Sequence, residues 1–255
     1  MFYNSVVNND QLADNYRQAK SRLLLLDYDG VLAPIRPLPE QAAPSREILK
    51  LLEKLTADPR NTCVVISGRP RETLDDWLGH LPLAFAAEHG LWHRSVRGEW
   101  EILSFFDLDW KPSVEAVMHQ YESLLSGSFV EEKHAALAFH YRNTSSPQKT
   151  EIVGRLVSDI EQVAASSSLQ VLNGKKVVEV LPAGVDKGKA ARFWLEARTW
   201  DFILAAGDDV TDEALFQAAP ASAYSIKVGD RPTFARSTVN SQPKFMHLLK
   251  TLADL

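Results

Sequence analysis

The sequence predicts an α/β fold, a parallel sheet flanked by helices, with a smaller α+β domain inserted into it. Three observations carry this. Short apolar runs ending at acidic or glycine-rich turns alternate with helical-period segments in the first third of the chain, and the same alternation returns in the last third. The middle changes character, to two long amphipathic segments interleaved with hairpin-like strand pairs.

Taken in order, Arg22–Leu26 reads as a buried strand because four consecutive leucines leave no polar face. Ser45 caps a helix whose Ile48, Leu49, Leu52 and Leu55 line one face, and Asp58-Pro59 ends it. A second strand follows at Asn61–Ile66, and a helix opens after Pro70 and stops before Gly79. Segments 110–125 and 148–165 are the long amphipathic helices. Segments 129–142 and 169–181 are the strand pairs, the latter expected to turn at Asn173-Gly174. The last third gives a helix over 187–197, a strand at Phe202–Ala206, a helix over 211–217, a strand at 223–228 and a terminal helix over 243–252. These segments place the inserted domain at residues 108–182, between two parts of one core at 1–107 and 183–255. Two such connections permit hinge closure over a site.

Composition narrows the partners. With 255 residues, 45% hydrophobic and 24% charged, the chain has enough apolar material for a core plus a smaller domain. A net charge of -5 carries no basic signature, so nucleic acid is not an expected partner. Cys63 is the single cysteine, which excludes an intrachain disulfide and fits a reducing compartment. No stretch reaches the roughly 18 apolar residues of a membrane span, and the first residues lack a secretory pattern. A cytoplasmic protein without membrane contact is expected, of undetermined oligomeric state.

In a parallel sheet, ligands gather beyond the carboxyl ends of the strands. Four segments lie there: Asp27-Tyr28-Asp29-Gly30, Ser67-Gly68-Arg69, the helix start Lys187-Gly188-Lys189, and Asp208-Asp209. A carboxylate can attack phosphorus, and a second within reach can protonate the leaving oxygen and later deprotonate water, which are the roles open to Asp27 and Asp29. Bringing Asp208, Asp209 and Asp212 to the same sheet edge would be repulsive without a cation, and magnesium, which prefers oxygen donors, suits it. Each feature has a plainer reading. Asp-x-Asp-Gly alone is commonly an acidic turn, and acids at a helix start are favoured by its dipole, which would by itself account for Asp212 and Glu213. Ser67 and Gly68 offer a hydroxyl and backbone N–H groups to an anion, and Lys187 a positive charge, although a lysine at an exposed helix start is commonplace.

Together, in order and context, these segments resemble the motifs of the haloacid-dehalogenase-like (HAD) phosphatases, whose first motif is Asp-x-Asp followed two residues later by Thr or Val, here Val31. With Ala33-Pro34-Ile35, Ala87-Glu88-His89-Gly90, Glu179-Val180-Leu181-Pro182 and Gly207-Asp208-Asp209-Val210-Thr211-Asp212-Glu213, the pattern is similar to that of the trehalose-6-phosphate phosphatases over nearly the whole chain. Val31 stands where that subgroup more often has threonine, and Asp186 where it often has Ser or Asn.

The resemblance implies a Rossmann-like HAD core with an inserted α+β cap, and a magnesium-dependent hydrolysis of trehalose 6-phosphate to trehalose and phosphate, the last step of trehalose biosynthesis. It implies that Asp27 is the nucleophile, Asp29 the acid and base, and Ser67, Gly68 and Lys187 the phosphate-binding groups. Asp27, Asp29 through its carbonyl, and Asp208 would hold Mg2+, supported by Asp209 and Asp212. Glu131, Lys133 and Glu179 resemble sugar-binding positions of the cap; Arg142 and Lys176, in the same segments, and Glu88 and His89 on the core are further candidates. Charged residues on a small sheet are usually just solvated, and the tryptophans at 77, 194 and 200 fall where core packing is their ordinary use.

Other readings remain at this point: a phosphatase for sucrose phosphate or mannosylglycerate phosphate, a phosphomutase, a glycosidase using Asp27 and Asp29, or a non-enzymatic ion-binding module. An EF-hand fails because its glycine would come too early. A glycosidase leaves the acids near 208 and Lys187 unexplained.

Overall fold

The computed structural model describes residues 5–103, 105–165 and 167–255. They divide into two compact units, Met1–Leu103 with Asp186–Leu255, and Ser104–Val185. The joins lie a few residues outside those read from sequence. Residues 183–185 stay with the second unit because Ala183 N–H donates to Ser168 O and the Gln170 amide donates to Val185 O.

The first unit carries β1 (Ser5–Val6), α1 (Asn9–Gln18), β2 (Arg22–Asp27), α2 (Arg46–Ala57), β3 (Asn61–Ile66), α3 (Arg71–Leu78), β4 (Ala84–Ala87), β5 (Trp92–Arg94) and β6 (Glu101–Ile102). The second carries α4 (Lys111–Leu124), β7 (Phe129–Glu132), β8 (Leu137–His140), α5 (Lys149–Ala164), β9 (Leu169–Gly174) and β10 (Val177–Pro182). The first then resumes with α6 (Lys187–Leu195), β11 (Phe202–Gly207), α7 (Glu213–Ala218), β12 (Tyr224–Val228), β13 (Ser237–Val239) and α8 (Gln242–Ala253).

The sheet of the first unit runs β1-β13-β12-β11-β2-β3-β4-β5-β6, parallel from β1 to β4, with β5 and β6 added antiparallel. β2 lies centrally, every residue of it buried. Alternate side chains of a strand face opposite ways. Leu23 and Leu25 of β2 join Val64, Ile66 and Ala205 in one cluster with Ala190, Trp194 and Leu215 of α6 and α7. Leu24 and Leu26 are buried as well, and α8 packs against both α1 and α2. Ser45 caps α2 as expected, its hydroxyl accepting from Ile48 N–H.

Register decides where the acids go. Leu26 pairs with Ala206 and Asp27 with Ile66, so Asp27 stands level with Gly207, one residue before Asp208, and beside the strand that delivers Ser67. Residues some 180 positions apart are thereby brought to one sheet edge.

In the second unit the sheet order is β7-β8-β10-β9, all antiparallel. Leu137, Phe139, Val178 and Val180 pack on Val114, Met118, Leu156 and Ile160 of α4 and α5. Glu131, Ala138 and Glu179 lie in one cross-strand row, on the opposite face from those apolar residues.

Some expectations need correction. The β9–β10 hairpin turns at Lys175-Lys176, because Gly174 pairs with Val177; Asn173 and Gly174 end the strand, and Lys176 takes the positive φ, +69°. Lys133, Arg142 and Lys176 therefore lie beyond the strands. The segment after Asp209 begins as a 3₁₀ turn, Val210–Asp212, before α7, since the Asp212 carboxylate folds back onto the preceding N–H groups.

Candidate active site

The end of β2 delivers Asp27 into an environment that is almost closed, 4% exposed. Lys187, the first residue of α6, is buried with it; its Nζ donates to Asp27 Oδ1 at 2.8 Å and to Asp212 Oδ1 at 2.7 Å. Asp212 uses its other oxygen to accept the N–H groups of Asp208 and Asp209 at 2.8 and 2.9 Å. This one carboxylate thus fixes both the lysine and the turn after β11. Oxygens of Asp27, Asp208 and Asp212 lie within 4.8 Å of one another, and all three residues are buried.

Three carboxylates gather near the Lys187 ammonium. Burial, then the Asp212 charge, pushes the Asp27 carboxyl well above the usual range, with Lys187 opposing. Burial also acts against the Asp212 anion, but Lys187 and the two N–H groups hold it below the usual range. Lys187 is held charged despite burial, because Asp212 and Asp27 outweigh the desolvation. A compact, buried set of hard oxygen donors is a fit for a small divalent cation.

Gly30 makes the close approach possible. Its φ is +81°, and a Cβ there would stand 2.1 Å from Asp208 Oδ2. Asp29, one residue earlier, is half-exposed and gripped in a fork by Arg69, whose Nε and Nη2 reach its two oxygens at 2.8 and 2.7 Å. Arg69 is itself anchored by the Pro39 carbonyl at 3.0 Å and lies over the Trp77 ring, 4.6 Å from its centroid. The Asp29 carboxylate is therefore apart from the cluster of Asp27, Asp208 and Asp212, so only its backbone could belong with them.

Ser67 is buried at the end of β3, and its hydroxyl accepts from Arg69 N–H at 3.2 Å. The neighbouring turn is strained: Glu88, His89 and Gly90 all have positive φ, at 47°, 58° and 107°. Glu88 N–H donates to Arg69 O and His89 N–H to Ser67 O, which ties this turn to the Ser67–Arg69 loop. A Cβ on Gly68 would lie 2.6 Å from the His89 ring, so glycine lets the imidazole close over the loop. Glu88 and His89 are both buried at this rim.

In the second unit, Lys133 Nζ donates to Glu179 Oε1 at 2.6 Å, both side chains buried. Glu131 meets His140 Nε2 at 2.7 Å. Burial raises the Glu131 carboxyl, but the His140 hydrogen bond and the Lys133 charge more than reverse it, leaving it below the usual range. Arg142 and Lys176 lie at the other end of the sheet, the first donating to the Lys175 carbonyl, the second 5.9 Å from the Tyr141 ring centroid. They are not brought together with Glu131, Lys133 and Glu179.

Residues 25–245 match the family model described as trehalose-phosphatase. The chain belongs to the trehalose-phosphatase family. Over 250 residues it is 43% identical to a bifunctional trehalose-6-phosphate synthase/phosphatase of Thermoproteus tenax, an alignment covering 98% of this chain and 34% of that protein. It spans about a third of the length of curated relatives such as this one. Among solved structures, the C-terminal domain of trehalose-6-phosphate phosphatase from C. albicans superposes with a TM-score of 0.94 at 30% identity, covering 100% of this chain and 99% of that one. A haloacid dehalogenase-like hydrolase from Bacteroides thetaiotaomicron, 14% identical with a TM-score of 0.67, covers 92% of this chain and 100% of its own, and shares the fold. The family assignment thus agrees with the α/β core and the strand-end acids described above.

Two participants, Arg69 and Lys227, have no role assigned from sequence alone. Arg69 stands within the Ser67-Gly68-Arg69 motif, but its grip on Asp29 follows from the fold. Asp212, expected to support the metal ligands or the nearby lysine, binds Lys187 directly. Lys227, buried and bonded to the Asp209 carbonyl, went unremarked, although its place near the end of a parallel strand was a usable signal.

Proposed function

We propose that this chain hydrolyses trehalose 6-phosphate to trehalose and inorganic phosphate through an aspartyl-phosphate on Asp27, the final step of trehalose biosynthesis. The observation that carries the reading is the buried Asp27–Lys187–Asp212 arrangement beside Asp208, with a second carboxyl, on Asp29, two residues from the nucleophile.

An Asp27 oxygen attacks phosphorus while the bond to the sugar oxygen breaks, and that oxygen takes a proton from Asp29. Water then attacks the acyl phosphate, Asp29 receives its proton, phosphate leaves and Asp27 is restored. Lys187 keeps a positive charge against the phosphoryl oxygens and the carboxylate that approaches them. Ser67 and the N–H of Gly68 offer further donors to the transferred group. Asp27 and Asp208, with the Asp29 carbonyl, are the groups that would hold Mg2+, which would supply positive charge to offset repulsion between carboxylate and phosphate dianion. Asp209 and Asp212 support this arrangement from outside it.

A disaccharide must also be gripped through its hydroxyls. The inserted domain, residues 108–182, is assigned to that task, with Glu131, Lys133 and Glu179 the preferred contacts; Glu88 and His89 of the other unit are further candidates. Arg142 and Lys176 are the weaker candidates, given their place at the far end of the sheet. Among the described residues no helix is long and apolar enough to cross a membrane. The single cysteine, its thiol pushed up to about 12 by burial, suits a reducing, cytoplasmic setting.

The test is phosphate release by the purified protein across a panel of sugar phosphates, with Mg2+ and with EDTA. Release from trehalose 6-phosphate well above sucrose phosphate and mannosylglycerate phosphate, abolished by EDTA and restored by Mg2+, is expected. Preference for another sugar would overturn the substrate assignment, and EDTA-resistant turnover the role of the cation.

A further inference from the structure

β12 contains a lysine that none of the proposed chemistry uses. Lys227 pairs in register with Gly207, the residue before Asp208, and is 2% exposed. Its ammonium donates to the Asp209 carbonyl oxygen at 2.8 Å and to Glu213 Oε1 at 2.9 Å, and lies 5.9 Å from the Phe216 ring centroid. Glu213 is bound again through Oε2, which accepts from Thr233 Oγ1 at 2.9 Å and from Phe234 N–H at 2.7 Å. The turn after β11 is therefore held at two levels. Asp212 accepts its N–H groups from one direction, and Lys227 holds its carbonyl from another, with Glu213 fastening Lys227 to the 233–234 segment.

Burying an ammonium costs several kcal/mol unless it is paired and hydrogen-bonded, so an uninvolved position would favour an apolar residue. Here the charge is directed at the main chain of Asp209, next to Asp208. Groups behind metal ligands fix the orientation of those ligands and so tune affinity. We propose that Lys227 and Glu213 are positioning residues, which hold the Asp208–Asp209 turn in the shape that binds the divalent cation without touching the cation or the substrate. This rests on the assignment of Asp208 as a metal ligand.

The test is direct binding of Mn2+, followed by the loss of the free-ion electron paramagnetic resonance signal, in wild type, Lys227→Met, Lys227→Arg, Glu213→Gln and Asp58→Asn. The last removes an ion-pair partner of buried Arg22 at the opposite edge of the sheet and serves as a stability control. Circular dichroism at the same temperature verifies folding. Lys227→Met and Glu213→Gln are expected to weaken Mn2+ binding by about 10- to 100-fold. Lys227→Arg, which keeps charge and donors, should fall in between, and Asp58→Asn should bind as wild type. In turnover assays the same variants should need more Mg2+ for half-maximal rate, with kcat recovering at saturation. Should Lys227→Met prove unfolded, Glu213→Gln, of nearly the same shape, carries the test.

Folded variants that bind Mn2+ like wild type would overturn the proposal alone, as would an equal loss in Asp58→Asn, which would mark the effect as general destabilisation. Absence of Mn2+ binding by wild type would overturn the metal assignment and the proposal with it.

Discussion

Replacing Lys187 by Met tests the electrostatic account of the site. The ammonium lies 2.8 Å from Asp27 Oδ1 and 2.7 Å from Asp212 Oδ1, and all three side chains are at least nine-tenths buried. At an effective permittivity of about 20, each contact is about 6 kcal/mol of attraction. Desolvation of the ions offsets most of this, and breaking such an arrangement from one side costs about 3–5 kcal/mol in net terms. Methionine fills much of the volume, so the loss should come from charge. It should depend on pH with a definite sign. The Asp27 carboxyl is already held above its unfolded value, so the native state binds more protons than the unfolded chain in the window between those values, and its contribution to stability falls as pH rises. Without Lys187 that window extends upward, and the penalty should be greatest at neutral to mildly alkaline pH, below the range where an unfolded lysine loses its proton, and shrink on acidification as Asp27 takes up its proton. Urea unfolding in EDTA at several pH values measures this. Adding Asp27→Asn to Lys187→Met should recover about 1–3 kcal/mol, since it removes the repulsion with Asp212. A loss below about 1 kcal/mol, or one independent of pH, would show that the Lys187 charge does not hold the site together.

Gly30→Ala should raise the Mg2+ requirement in an otherwise folded protein, because its Cβ would stand 2.1 Å from Asp208 Oδ2 at a φ of +81°, and the left-handed backbone adds about 1–2 kcal/mol; Mg2+ titration of turnover checks it. Arg69→Gln should lower kcat by up to about 10²-fold through the misplaced Asp29 carboxyl with little change in stability, which steady-state kinetics and thermal melting can separate. Asp58→Asn should cost about 2–4 kcal/mol, chiefly by depriving the fully buried Arg22 of its ion-pair partner. Because Asp58 is lowered from 3.8 to about 2 by its Arg60 hydrogen bond, its own contribution is complete above the unfolded value and lost as pH falls through about 2. The variant's acid unfolding should be correspondingly less steep between roughly pH 4 and pH 2.

The core was legible where one physical signal dominated. Unbroken apolar runs marked β2, β3 and β11, whose burial on both faces removes the need for alternation. The Ser45 cap and the proline at 70 bounded their helices because those devices act locally. α1 was not legible, since only Leu12 and Tyr16 of its ten residues are buried and its start rests on the Asn8 side chain. β5 and β6 are three and two residues long and owe their pairing to neighbours. The Asn173-Gly174 signal misled because a glycine that permits a turn does not require one; cross-strand register moved the bend to Lys175-Lys176. At the site, strand ends pointed to Asp27, Ser67 and Asp208, while the partners of Arg69, Asp212 and Lys227 depend on contacts 40, 25 and 18 residues away.

The proposed hydrolysis passes through a covalent bond between Asp27 and phosphorus. Turnover of trehalose 6-phosphate with Mg2+, quenched in acid, reduced with borohydride and digested for mass spectrometry, reads that bond directly. A reduced side chain at position 27 that forms only with substrate and disappears in Asp27→Asn, together with loss of phosphate release in that variant, is the predicted result. Modification at another carboxylate, or sustained phosphate release by Asp27→Asn without conversion of the amide back to the acid, would contradict it.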